Sequence, residues 1–160
     1  MREIPLTRGK IALVDDKDFT ELSKVKWTAH KGLHTWYAKR KVAGRHVAMH
    51  REILGLTFGD GILIDHKDFD GLNNQRHNLR ICNKQQNSAH TLSRRARKRG
   101  HYRGVGKFRD KTRTKPWVAR IGLQGKFYSL GVFYTEEAAA LAYNLAAQRH
   151  FGEFARLNSL

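Results

Sequence analysis

Through the first half of the chain, apolar and polar residues alternate in short runs broken by glycine and charge. Residues 10–14, 27–30, 35–39 and 45–49 are predicted as four short strands. A short helix is expected over 16–23, with Asp16 or Asp18 as its N-cap. Residues 50–56 read as a helical start and 62–65 as a strand; after a polar loop a second strand covers 79–82. A helix follows from Asn83, a credible N-cap. Beyond residue 100, the segments 101–108, 117–123 and 127–133 alternate at strand period, and Gln124-Gly125 signals a tight hairpin. Thr135 followed by Glu136 and Glu137 predicts a capped helix start. The alanine-rich stretch after it should end near Gly152 and let the helix approach the sheet closely.

These elements predict an α+β fold in parts: a small β-rich module over 1–48, a strand–strand–helix core over 49–92, and a three-stranded antiparallel sheet packed on one helix over 102–160. A chain of 160 residues with 40% hydrophobic positions can bury a core. Charge then narrows the partners. Lys and Arg number 31 against 14 Asp and Glu, a formal +17, and thirteen of the bases with a single acid, Asp110, lie between residues 91 and 126. Such a balance points to a polyanion, usually nucleic acid. Residues 93–101 lack apolar periodicity and read as a basic linker able to follow a phosphate backbone. No apolar run approaches a membrane span and no signal pattern is present, so a cytoplasmic protein is expected. Cys82 is the sole cysteine, which excludes a disulfide scaffold and a four-cysteine zinc site.

The string from Ile64 to Asn87 holds the candidate chemistry. Asp65-His66 ends an apolar strand, Gly71 and Asn73-Asn74 supply turn residues, and Asn87 lies one turn into the helix after the second strand. That order can bring Asp65, His66 and Asn87 together. A carboxylate and an amide oxygen are hard ligands suited to Mg²⁺, and a neutral histidine beside the ion can take a proton from water. Asp68 and Asp70 offer further oxygens but read as a solvated turn, and His50 reads as packing.

The same residues resemble the HNH endonucleases of the ββα-metal fold, in particular the homing endonucleases of phages and introns. The Asp-His pair is followed after twelve residues by Asn78 in an Asn-Leu-Arg string and after nine more by Asn87, with Met49-His50-Arg51 upstream. The resemblance implies Asp65 and Asn87 as metal ligands, His66 as general base and Asn78 as the brace of the loop that orients it. It implies Mg²⁺, with Mn²⁺ able to substitute, and no structural zinc.

Farther on, Tyr102-Arg-Gly-Val105, Ser129-Leu-Gly-Val-Phe133, Thr135-Glu-Glu-Ala-Ala139 and Leu157-Asn158 resemble the Apetala-two/ethylene-response-factor DNA-binding domain. There the sheet enters the major groove and the helix packs behind it. By strand parity Ala119, Ile121, Tyr128 and Leu130 should meet the helix, while Arg120 and Ser129 face double-stranded DNA. Arg103 matches a contact position of that family; Arg109, Arg113, Lys115 and Lys126 are candidates on charge alone.

The resulting expectation is a site-preferring DNA endonuclease of homing type, acting in a phage-infected bacterial host. One active site per monomer would nick one strand, and double-strand cleavage would need a dimer or two binding events. The competing classes are a non-catalytic DNA-binding regulator with the nuclease core as scaffold and, more remotely, a structural RNA binder.

Overall fold

The computed structural model describes residues 1–91 and 102–160; the expected basic linker, 93–101, lies outside the described residues. The protein is α+β, and the chain divides into two compact units, Met1–Asn83 and Lys84–Leu160.

In the first unit, strand β1 (Arg2–Pro5) pairs antiparallel with β2 (Ile11–Val14) around a 3₁₀ turn. Helix α1 (Asp16–Leu22) follows, and then β3 (Thr28–Lys31), β4 (Trp36–Val42) and β5 (Arg45–Ala48) form an antiparallel sheet in chain order. A short helix α2 (Met49–Ile53) leads to the antiparallel pair β6 (Leu63–His66) and β7 (Leu79–Cys82). Strand β1 is not legible in the sequence because only Ile4 of its four residues is buried, leaving no alternation to detect. The cap of α1 is Asp15 rather than Asp16 or Asp18. Its carbonyl accepts from Asp18 and Phe19, while its carboxylate turns away to Arg76 N–H at 2.9 Å.

One core holds this unit together. Ile4, Ala12, Val14, Leu22, Trp27, Ala29 and Ala38 from the N-terminal half pack in the same cluster as Met49, Ile53, Leu72 and Leu79. Residues 1–48, expected as a module apart from 49–92, therefore share their hydrophobic interior with 49–83. Trp27 is 1% exposed and donates its indole N–H to Leu22 O at 2.8 Å, which satisfies its one polar atom in the apolar cluster.

The second unit begins with helix α3 (Lys84–His90). Strands β8 (Val105–Lys107), β9 (Trp117–Leu123) and β10 (Lys126–Phe133) make an antiparallel sheet with β9 central, and helix α4 (Glu136–Phe151) covers it. Thr135 caps α4 as expected, its hydroxyl accepting from Ala138 N–H at 3.1 Å, and Gly152 ends it at φ 53°. Gln124 and Gly125, at φ 49° and 78°, form the expected hairpin turn. Ala139, Ala140, Tyr143 and Ala147 of α4 are buried, as are Ala119 and Ile121 of β9. Tyr128 departs from expectation: it lies across from Ile121 but is 48% exposed. It sits on the edge strand, whereas α4 packs mainly over the central one, and the register slips between Ser129 and Gly131.

Candidate active site

The site is built on the β6–β7 pair, in which Asp65 faces Arg80 and His66 faces Leu79. Arg80 donates from Nε and Nη2 to Asp65 Oδ2 at 2.9 and 2.7 Å, with both side chains about nine-tenths buried. A buried carboxylate demands a compensating cation, and this arginine supplies one from the neighbouring strand. His66, at the end of β6, is 6% exposed.

Two aromatic rings surround His66. The His50 ring of α2 lies 5.2 Å from it edge to face, and Tyr37 of β4 lies 5.9 Å from His66 and 6.0 Å from His50. Burial pushes the His50 imidazole down to about 3, with His66, Arg51 and Lys39 adding to the effect. Burial also lowers His66, while Asn74 and the carboxylates of Asp68, Asp65 and Asp70 oppose the shift. Both imidazoles are therefore neutral at pH 7, the form in which a histidine accepts a proton. The Tyr37 phenol is held above its usual range by burial and by the Asp65 charge.

Residues 67–78 link the two strands, and Asn78 knits this loop together. Its amide Nδ2 donates to Asp68 Oδ1 at 2.9 Å and to Asn73 O at 2.8 Å. Its Oδ1 accepts from Asp68 N–H at 3.1 Å, and its carbonyl accepts from Lys67 N–H at 3.0 Å. Asp68 and Asp70 are occupied within the turn: Asp68 also accepts from Asp70 N–H and Asn73 Nδ2, and Asp70 from Leu72 N–H and the Thr35 hydroxyl. Asn74 is fully buried and donates to Leu72 O at 3.0 Å. Its Oδ1 and His66 Nε2 are both buried without a hydrogen-bond partner. Asn74 is close enough to His66 to oppose its downward shift, but the two fall short of hydrogen-bond geometry.

The N-terminal elements bolt this loop in place. Leu13 of β2 donates to Leu72 O at 2.9 Å and accepts from Asn74 N–H at 2.8 Å, a parallel bridge alongside the loop. Arg76 makes a two-point pair with Asp18 at 2.8 Å for each bond, and Gln75 and the Arg76 backbone bind the Asp15 carboxylate. Gly71 packs so closely on β4 that a Cβ there would lie 2.4 Å from Trp36 O. Upstream, Arg51 ties down the approach to β6 by donating to Ile62 O, Thr57 O and the Asp60 carboxylate. The structure thus brings Asp65, His66 and Asn78 together and adds His50, Tyr37, Asn74 and Arg80. Of the added four, Arg80 stands in the Asn-Leu-Arg string, while Tyr37, far upstream of His66 in the chain, carried no local signal.

Asn87 belongs to α3 in the second unit, half-buried, its carbonyl accepting from the N–H and hydroxyl of Thr91. Among the described residues, no three His, Cys, Asp or Glu side chains gather as a metal centre. Asp65 carries a carboxylate and Asn87 a side-chain amide, each with the hard oxygen that Mg²⁺ accepts as a ligand.

Of the candidate DNA contacts, Arg109, Arg113, Lys115, Arg120, Lys126 and Ser129 are exposed on the second unit. Arg113 lies over the Phe108 ring at 4.1 Å and Lys115 over Tyr134 at 4.9 Å, so their stems are ordered by aromatic faces. Arg120 and Ser129 are cross-strand partners and share one face with Phe127, which is 82% exposed and was not singled out from sequence. Arg103 is engaged elsewhere, with backbone carbonyls at the end of α3.

Among the described residues, no helix is long and apolar enough to cross a membrane. No family model matches the chain. It is 31% identical over 154 residues to an uncharacterized HNH endonuclease of Acanthamoeba polyphaga mimivirus, covering 96% of this chain and 77% of that protein. At that identity and coverage, the chain belongs to the HNH endonuclease family.

Proposed function

We propose that the protein is a metal-dependent DNA endonuclease of homing type, cutting one strand per active site at preferred sequences. The observation that carries this reading is His66: a buried, neutral imidazole beside a buried carboxylate, at the end of a strand whose following loop is braced by Asn78. With Nε2 buried, Nδ1 is the nitrogen that takes a proton from the attacking water. Asp65 and Asn87 would hold one Mg²⁺, with Mn²⁺ able to replace it, and such an ion would supply Lewis-acid stabilisation of the charge that develops on phosphate and leaving 3′ oxygens. Arg80 holds the Asp65 carboxylate in a fixed orientation through two hydrogen bonds to Oδ2. His50 and Tyr37 exclude water from the far side of the His66 ring and fix its plane. The products are 5′-phosphate and 3′-hydroxyl ends.

Duplex DNA is held by the second unit, with the exposed Arg120–Ser129 face of its sheet in the groove and Arg109, Arg113, Lys115 and Lys126 on the phosphates. This reading uses a three-stranded sheet with a helix packed on it, capped at Thr135. Incubating supercoiled plasmid with Mg²⁺ and either the wild type or His66→Ala tests the proposal. Open-circular product from the wild type alone, abolished by EDTA, is the expected result. DNA binding by both proteins without nicking of plasmids that carry host target sequence would favour a non-catalytic regulator instead.

A further inference from the structure

Arg103 stands in the Tyr102-Arg-Gly-Val105 string, where a DNA contact is expected, yet its guanidinium is turned onto the chain itself. Nη1 donates to Thr91 O at 2.7 Å and Nη2 to Ser88 O at 2.9 Å. These carbonyls belong to the last turn of α3 and the residue just past it, groups that an ending helix leaves without partners. The backbone of Arg103 is held in turn. Its N–H donates to Asn158 Oδ1 at 2.7 Å, and its carbonyl accepts from Asn158 Nδ2 at 3.1 Å. Asn158 exchanges two further hydrogen bonds with Asn144 of α4, at 2.7 and 2.9 Å. The next residue, Gly104, has φ 75°, and a Cβ there would lie 1.9 Å from the Tyr143 ring, so the chain is seated directly on α4. A continuous line of bonded groups therefore runs from α4 through Asn144, Asn158 and Arg103 to α3, ending beside Asn87.

We infer that Arg103 is a positioning residue that locks α3, and with it Asn87, onto the same rigid body as the β8–β9–β10 sheet. Duplex bound on that sheet then finds Asn87 at a set place relative to its backbone. The inference rests on the proposed roles of Asn87 as metal ligand and of the sheet as DNA holder. Arginine suits the task because its planar fork reaches two carbonyls three residues apart on one helix face, whereas a lysine offers a single point.

The full chain with Arg103→Ala and Arg103→Lys tests this by three readouts. These are duplex affinity across a salt series without metal, single-turnover cleavage at saturating DNA across a Mg²⁺ titration, and amide exchange in α3. Both variants should bind within about twofold of the wild type, with an unchanged log–log salt slope. Arg103→Ala should cleave at least tenfold more slowly at saturating DNA, with a raised Mg²⁺ midpoint, and Arg103→Lys should fall between it and the wild type. Amides of α3 should exchange faster in Arg103→Ala while those of β9 and α4 stay unchanged; should that variant fail to fold, Arg103→Lys carries the same readouts. Weaker binding with a slope shallower by about 0.9, one phosphate, and unchanged α3 exchange would overturn the inference and make Arg103 a DNA contact. If the wild type cleaves nothing, the nuclease reading fails on its own, and the salt slope and α3 exchange still decide whether Arg103 is the clamp.

Discussion

Asp65 and Arg80 show how residues facing each other on paired strands make the site possible. Each side chain is about nine-tenths buried, so neither tolerates the loss of the other. Replacing Arg80 with Ala takes two charge-assisted hydrogen bonds from a buried carboxylate and should destabilise the first unit by about 3 kcal/mol in urea unfolding. Breaking the same pair from the Asp65 side, with Asp65→Asn, keeps the shape and should cost less. The two neutral histidines set a pH limit. Their folded values lie below the ordinary 6.5 of the unfolded chain, so the unfolded state binds more protons in acid. The stability they contribute is complete above pH 6.5 and is lost as pH falls below it. For His50 the loss amounts to roughly 1 kcal/mol per pH unit, continuing down to about 3. Melting temperatures between pH 7 and 5 should therefore fall more steeply in the wild type than in His50→Phe. At this scale the sequence was informative about identity. Asp65, His66 and Asn78 stand out by residue type and spacing, whereas the partnership of Asn74 and Tyr37 with His66 depends on contacts across 8 and 29 positions.

At the scale of elements, most strands follow from alternation, and their turns from chemistry that local sequence carries. The β4–β5 turn is an exception: Ala43 sits at φ 46° and Gly44 at φ 81°, so a residue with a Cβ occupies a left-handed position that favours Asn or Gly. Ala43→Asn should raise stability by about 0.5–1 kcal/mol, seen as a higher melting temperature, because the turn geometry stays and the strain is relieved. Such a turn is legible as a hairpin but not as a strained one. The 67–78 loop is the other case. Its Asn and Asp residues read correctly as turn formers, yet what rigidifies them is β2 and α1 from the far N-terminus. Disconnecting Arg76 with Asp18→Asn should leave the fold intact and slow cleavage at saturating DNA more than it weakens binding, which single-turnover kinetics against a binding titration would show.

For the whole molecule, the formal charge of +17 governs how it meets DNA. Binding should weaken with salt along a log–log slope of about −0.9 for each phosphate neutralised, and charge-neutral variants at Arg109, Arg113, Lys115 or Lys126 should each make the slope shallower. Ser129→Ala should instead leave the slope unchanged, since it removes no charge. Chelation of divalent metal should abolish cleavage while leaving this binding in place, because the proposed metal ligands are distinct from the cations proposed to meet the phosphates.

The amino-acid sequence by itself determined the element types, the α+β class, the capped alanine-rich helix and the spaced Asp, His and Asn of the candidate site. All of these are written in local periodicity, turn chemistry or fixed spacing along the chain. Only the tertiary structure decided that residues 1–48 and 49–83 share one core, that β2 and α1 brace the His66 loop, that Arg80 neutralises Asp65, and that Arg103 faces α3 instead of solvent. Each of those depends on which distant surfaces exclude water together. A pattern of single positions cannot encode that pairing, because the same arginine or apolar face is satisfied equally well by many partners until packing selects one.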